Sequence, residues 1–130
     1  MNHTHLQQSR DYLQQIGDRG EDAVLRYELS RLVGHPRLRE VRIAGRSDIS
    51  LGYDILSFEG PNSTMHDRYI EVKTYSGSPH FFLSQGEYDA ATRLGNRYYL
   101  YLVDEARLTD PDFCPIIIAD PMNHLTEESS

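Results

Sequence analysis

Between Leu6 and Val33 apolar residues return at about one helical turn: Ala23, Val24, Tyr27 and Leu32 mark the inner stripe, with Glu28 and Arg31 placed for the outer face. This spacing predicts a helix. The run Ile16-Gly17-Asp18-Arg19-Gly20-Glu21 interrupts it, because each glycine costs a helix interior about 1 kcal/mol relative to alanine. Either a break or a close packing is expected there. If a second helix begins near Asp18, Glu21 falls in its first turn, where the helix dipole favours a carboxylate. Gly34-His35-Pro36 ends the helix, glycine suiting a left-handed cap and proline blocking continuation.

Beyond the helix the period changes to two. Val41 and Ile43 alternate with Arg42 as a short first strand, Tyr53–Phe58 form a mostly apolar second, Tyr69–Tyr75 a third and His80–Leu83 a fourth, with turn clusters between them. The spacings suit an antiparallel meander. Ser84-Gln85-Gly86-Glu87 has the capping-box spacing, so a helix is expected through Tyr88, Ala91 and Leu94 to Gly95. A fifth strand over 97–103 follows, rich in aromatic and branched residues, and a sixth over Cys114–Ala119, its proline favouring a strand start or an edge. The order of elements predicts an α/β (mixed α+β) fold, a mixed sheet flanked by helices. One domain is expected over residues 1–120, and a polar, flexible tail over 121–130.

Composition narrows the classes. Nothing approaches the roughly 20 apolar residues of a membrane helix, and the polar start lacks a signal peptide's apolar region, so a cytoplasmic protein is expected. Cys114 is the single cysteine, which excludes an internal disulfide; its apolar neighbours predict that it packs. The six histidines have no paired spacing beyond His3 and His5, which argues against zinc. A net charge of -7 argues against coating nucleic acid by bulk attraction. The charge is uneven, however: residues 1–65 carry eight basic against nine acidic groups, and residues 66–130 five against eleven. A local basic surface in the first half and a carboxylate metal site are both compatible with that distribution.

Of thirteen basic residues only Lys73 is lysine. A compact ammonium differs from guanidinium where it must approach a reacting group, so its place in Tyr69-Ile70-Glu71-Val72-Lys73 points to chemistry. Strand alternation puts Glu71 and Lys73 on one face and Ile70, Val72 and Thr74 on the other. If the second and third strands pair, Asp54 can stand opposite the Glu71 to Lys73 segment. Two carboxylates and a lysine at strand ends suit metal-assisted phosphodiester hydrolysis. Hard oxygens hold Mg²⁺, the metal acidifies a bound water, and the lysine orients or deprotonates that water or stabilises the added negative charge. Glu21 could add a ligand directly or through water. By spacing alone, Glu-x-Lys is a weak signal, and a surface strand whose Glu71 and Lys73 are merely solvated or cross-paired explains it better.

Glu21 in a glycine-flanked helix, then Gly52-Tyr53-Asp54-Ile55, then Ile70-Glu71-Val72-Lys73-Thr74, then Phe82-Leu83-Ser84 with Glu87, resembles the domain named for the C-terminal region of the plant NO VEIN protein. That domain looks like a branch of the PD-(D/E)xK, or restriction-endonuclease-like, nucleases. The resemblance runs over roughly Ile16 to Val103, and Tyr53 stands where the superfamily's nominal motif has proline. It implies a restriction-endonuclease-like core and a possible nuclease using Mg²⁺ or Mn²⁺, with Asp54, Glu71 and Glu21 as metal ligands and Lys73 as the catalytic lysine. The expected partner is nucleic acid, DNA in the leading reading, cut by a possible homodimer or within a larger nucleic-acid-processing complex. A non-catalytic recognition or scaffold module that keeps the fold is the alternative.

Lesser candidates surround that set. Arg46, Ser47, Thr74, Ser76, Ser78 and His80 could contact phosphates, and Gln85 could sit near the lysine. Tyr98, Tyr99 and Tyr101 could stack on bases, although packing in the sheet explains them as well.

Overall fold

A computed structural model describes residues 3–124, with side chains from Ser9 onward. One long helix, α1 (His3–Arg31), precedes three antiparallel strands, β1 (Arg42–Ile43), β2 (Ile55–Ser57) and β3 (Arg68–Tyr75). Helix α2 (Gln85–Leu94) then connects β3 to β4 (Tyr98–Asp104), and β5 (Ile116–Ala119) closes the sheet. The order is β1-β2-β3-β4-β5, antiparallel except for the parallel pair β3–β4 that α2 bridges. A mixed α/β architecture is therefore present. Among the described residues no helix is long and apolar enough to cross a membrane.

The sheet separates two unequal packing layers. Ile55, Ile70, Val72, Tyr99, Tyr101 and Val103 face α1 and meet its Ile16, Ala23 and Val24. On the other face Tyr98 packs against Ala90 and Ala91 of α2. Burial of these apolar side chains, each worth roughly 1.5–3 kcal/mol when complete, fixes which face each strand residue presents.

Helix α1 does not break at its glycines. A Cβ on Gly20 would lie 2.1 Å from Thr74 Oγ1, so the missing side chain is what lets the helix settle onto β3. Glu21 accordingly sits in mid-helix and not in a first turn. Glu28 departs furthest from its expected outer-face position. It is 0% exposed and accepts hydrogen bonds from Ser57 Oγ (2.6 Å), Tyr101 Oη (2.8 Å), Arg31 Nε (2.9 Å) and Arg31 Nη2 (2.6 Å). Arg31 also leaves the outer face, donating to the carbonyls of Phe58 and Glu59 at the end of β2.

Three other expectations change. Residues 80–83 form no strand, because β2 and β4 occupy both edges of β3 and leave no free ladder to join. Phe81 and Leu83 instead pack on Tyr75, Leu100 and Leu102, while Phe82 is exposed. Cys114 is exposed, since it leads into an edge strand whose residues lie at the periphery. The expected loose tail begins with structure: residues 121–124 are helical, Pro121 is fully buried and Met122 packs toward Tyr98. The remainder of that tail, 125–130, lies outside the described residues, as do the side chains of His3 and His5.

Candidate active site

The register of β2 on β3 pairs Ile55 with Ile70, which places Asp54 opposite Glu71. Two hydrogen bonds hold Asp54 there: its N–H donates to Ile70 O at 2.8 Å, and Val72 N–H donates to its Oδ2 at 2.8 Å. Alternation puts Tyr69, Glu71, Lys73 and Tyr75 on the face that α2 covers. Lys73 Nζ lies 3.4 Å from Glu71 Oε2 and donates to Glu87 Oε1 at 2.8 Å. The lysine thus turns into the fold beside the carboxyls.

Glu87 has a role beyond the one its spacing announces. The capping box forms, with Glu87 N–H donating to Ser84 Oγ at 3.2 Å and Ser84 N–H donating to Glu87 Oε1 at 2.9 Å. That same Oε1 accepts from Lys73, so one carboxylate oxygen both caps α2 and anchors the lysine. A second tether holds this region: Tyr98 Oη donates to Gly52 O at 2.8 Å. Gly52 has φ +78°, and a side chain there would collide with the carbonyl of Gly86 in α2.

Electrostatically the pair is crowded. Glu71 is 4% exposed, and its carboxyl is pushed up to about 10, first by burial and then by the charge of Asp54, with Lys73 acting against both. Asp54 is also raised, burial outweighing the hydrogen bond from Val72 and the bond shared with Glu71. Burial disfavours the Lys73 ammonium, but Glu87 and Glu71 outweigh it, and the lysine is held above its ordinary value. The two carboxylates thus favour the charged form of the lysine.

This crowding has a pH signature. The folded chain keeps a proton on Glu71 that the unfolded chain releases near 4.5, so stability is complete below that value and falls as pH rises toward about 10. Thermal melts in a metal-free buffer are expected to show the wild type losing stability between about pH 5 and pH 9. Glu71→Gln, which cannot ionise, should flatten that slope; an unchanged slope would exclude a shared proton at the pair.

Glu21 is placed differently. Its carboxyl lies on α1 and accepts from Arg46 Nε at 3.1 Å, while Arg46 also donates to Asp22 Oδ1 at 3.1 Å and Asp18 O at 2.8 Å. Burial and the nearby charge of Asp54 raise Glu21 to about 7, against the pull of Arg46. It senses the carboxyl pair while being bound to an arginine. The other candidates are occupied locally: Ser47 Oγ donates to Ala44 O, Gln85 Nε2 to Asp89 Oδ1, and His80 Nδ1 contacts Ser78 O. Thr74 Oγ1 is buried on the α1 side without a partner, and Tyr99 and Tyr101 belong to the core on that side.

Among the described residues no group of three or more His, Cys, Asp or Glu side chains is arranged to hold a metal ion. The donor chemistry at Asp54 and Glu71 nonetheless fits a small hard cation: two carboxyls at opposed register positions, with one lysine that is itself shared with Glu87.

Residues 20–116 match the family described as Protein NO VEIN, C-terminal. The chain belongs to that family. The matched span contains Glu21, Asp54, Glu71, Lys73 and Glu87, so every member of the site lies inside the NO VEIN C-terminal domain. No curated protein and no solved structure matches the chain.

Proposed function

We propose that this domain hydrolyses phosphodiester bonds of nucleic acid, DNA in the first instance, with a divalent metal, and that it is a branch of the PD-(D/E)xK nucleases. The observation that carries the reading is the opposition of Asp54 and Glu71 across β2 and β3, with Lys73 Nζ 3.4 Å from Glu71 on the same strand face. Asp54 and Glu71 would hold Mg²⁺ or Mn²⁺, and Glu21, freed from Arg46 or reached through water, would support them. When bound, such an ion polarises the phosphate and acidifies a water. Lys73, kept charged by Glu87 and Glu71, presents an ammonium to the negative charge that grows on the phosphoryl oxygens. Glu87 orients that ammonium, and Tyr98 and Gly52 brace the chain leading into Asp54.

Isothermal calorimetry with Mg²⁺ and Mn²⁺, paired with cleavage assays on single-stranded and duplex DNA and RNA, tests the reading. Metal binding by the wild type, lost in Asp54→Ala together with cleavage while the fold is retained, is the expected result. A folded protein that binds neither ion and cuts no form of nucleic acid would leave the module without chemistry.

A further inference from the structure

Five arginines of this acidic chain, Arg31, Arg37, Arg46, Arg68 and Arg107, are each ion-paired to a carboxylate. Arg42, Arg93 and Arg97 are exposed and make no ion pair among the described residues. They come from β1, the last turn of α2 and the turn before β4, yet they converge. Arg42 is in register with Leu56, Leu56 with Tyr69, and Tyr69 with Tyr98, so one row of side chains crosses the sheet on the α2 face. The Arg97 guanidinium lies 5.9 Å from the centre of the Tyr69 ring, and Tyr69 meets Tyr53 edge to face at 5.1 Å. Burial raises the Tyr53 phenol, and Arg93 and Arg42 are near enough to act against that rise. The carboxylate also felt at Tyr53, that of Asp48, is turned to Ser50.

This row stands next to the candidate active site. Tyr69 precedes Glu71 by two residues on the same face, about 7 Å along the strand, and Tyr53 adjoins Asp54. Exposed cations cost little when left unpaired in water, but three from separate elements around two aromatic rings form a concentrated positive surface on a molecule of net charge -7. Guanidinium suits phosphate oxygens, whose charge it meets with a fork of donors.

We infer that Arg42, Arg93 and Arg97, arrayed around Tyr53 and Tyr69, form the docking surface for a nucleic-acid backbone and present it to Asp54 and Glu71. The presentation rests on the nuclease reading; the binding does not. The surface resolves how an acidic chain engages a polyanion, since attraction comes from a local cluster while Arg31, Arg37, Arg46, Arg68 and Arg107 are held by carboxylates in place.

Fluorescence anisotropy with a fluorescein-labelled single-stranded oligonucleotide, in EDTA and over a salt series, separates the two claims. The wild type should bind at low salt, and Arg42→Ala/Arg93→Ala/Arg97→Ala should lose at least about tenfold in affinity and about 2 from the slope of log affinity against log salt. A charge-matched Arg10→Ala/Arg39→Ala/Arg107→Ala variant should keep the wild-type slope, with circular dichroism confirming that both variants are folded. No binding by the wild type, an unchanged slope in the first variant, or an equal loss in the second would overturn the docking surface. Intact, arginine-dependent binding in EDTA without cleavage in Mg²⁺ would instead remove the nuclease reading and leave the surface standing.

Discussion

Lys73→Met is expected to lower cleavage by roughly 10²–10³ while leaving divalent-metal binding in place. The ammonium is wedged between Glu71 Oε2 at 3.4 Å and Glu87 Oε1 at 2.8 Å, so its charge is positioned in advance of any substrate. Methionine keeps the approximate length of the stem and removes only the charge, which isolates the electrostatic contribution. The loss should fall on kcat, because a charge aimed at developing negative charge acts more strongly in the transition state than on bound substrate. Lys73→Arg should rescue little: a planar fork cannot take the place of a compact ammonium between two carboxylates held by β3 and α2. Single-turnover cleavage with saturating Mg²⁺, alongside calorimetry for the ion, checks both variants. Wild-type rates in Lys73→Met would remove the lysine from the chemistry and reduce it to a tie between strand and helix.

The largest effect on stability is expected far from that site, on the opposite face of the sheet. Glu28→Ala should cost about 3–5 kcal/mol, because it strips a buried network of its central acceptor. Ser57 and Tyr101 would lose their acceptor, and Arg31 would lose its carboxylate while still tied to the end of β2. The damage reaches further through Tyr101, which accepts from Arg68 Nη1 at 2.7 Å; Arg68 in turn stacks over Tyr99 and pairs with Glu59. With total stabilities of about 5–15 kcal/mol typical of single domains, such a loss brings the chain near unfolding at ordinary temperatures. Glu28→Gln should cost less, since one amide oxygen still accepts. Urea denaturation, read as a lower midpoint at an unchanged m-value, measures both. A midpoint shift worth under about 1 kcal/mol for the alanine variant would mean that the network contributes little.

The two sites differ in how far they can be read from residues alone. Asp54, Glu71 and Lys73 sit in or beside strands whose alternation is plain, and one antiparallel pairing brings them together. Glu87 is visible as a helix cap through its spacing from Ser84, but its bond to Lys73 depends on where α2 docks. Glu28 has a charge that favours the outer face and a position that favours the inner one, and position wins. Four residues after Val24 and eight after Gly20, it lies on the stripe that packs against the sheet, and only a partner set drawn from β2 and β4 makes a buried carboxylate tolerable there.

From its own pattern the chain determines the two α-helices, the three-stranded antiparallel run, the α2 cap and the face that Glu71 and Lys73 share, because each depends on neighbours within a few residues. Tertiary structure decided the rest. Whether α1 breaks or runs on through Gly20 was settled by the close approach to Thr74, and whether residues 80–83 pair was settled by the strands already flanking β3. It also set the partner of Arg46 and the convergence of Arg42, Arg93 and Arg97 around Tyr53 and Tyr69. These outcomes rest on contacts between residues tens of positions apart, where local periodicity carries no information and the competition for buried partners makes the choice.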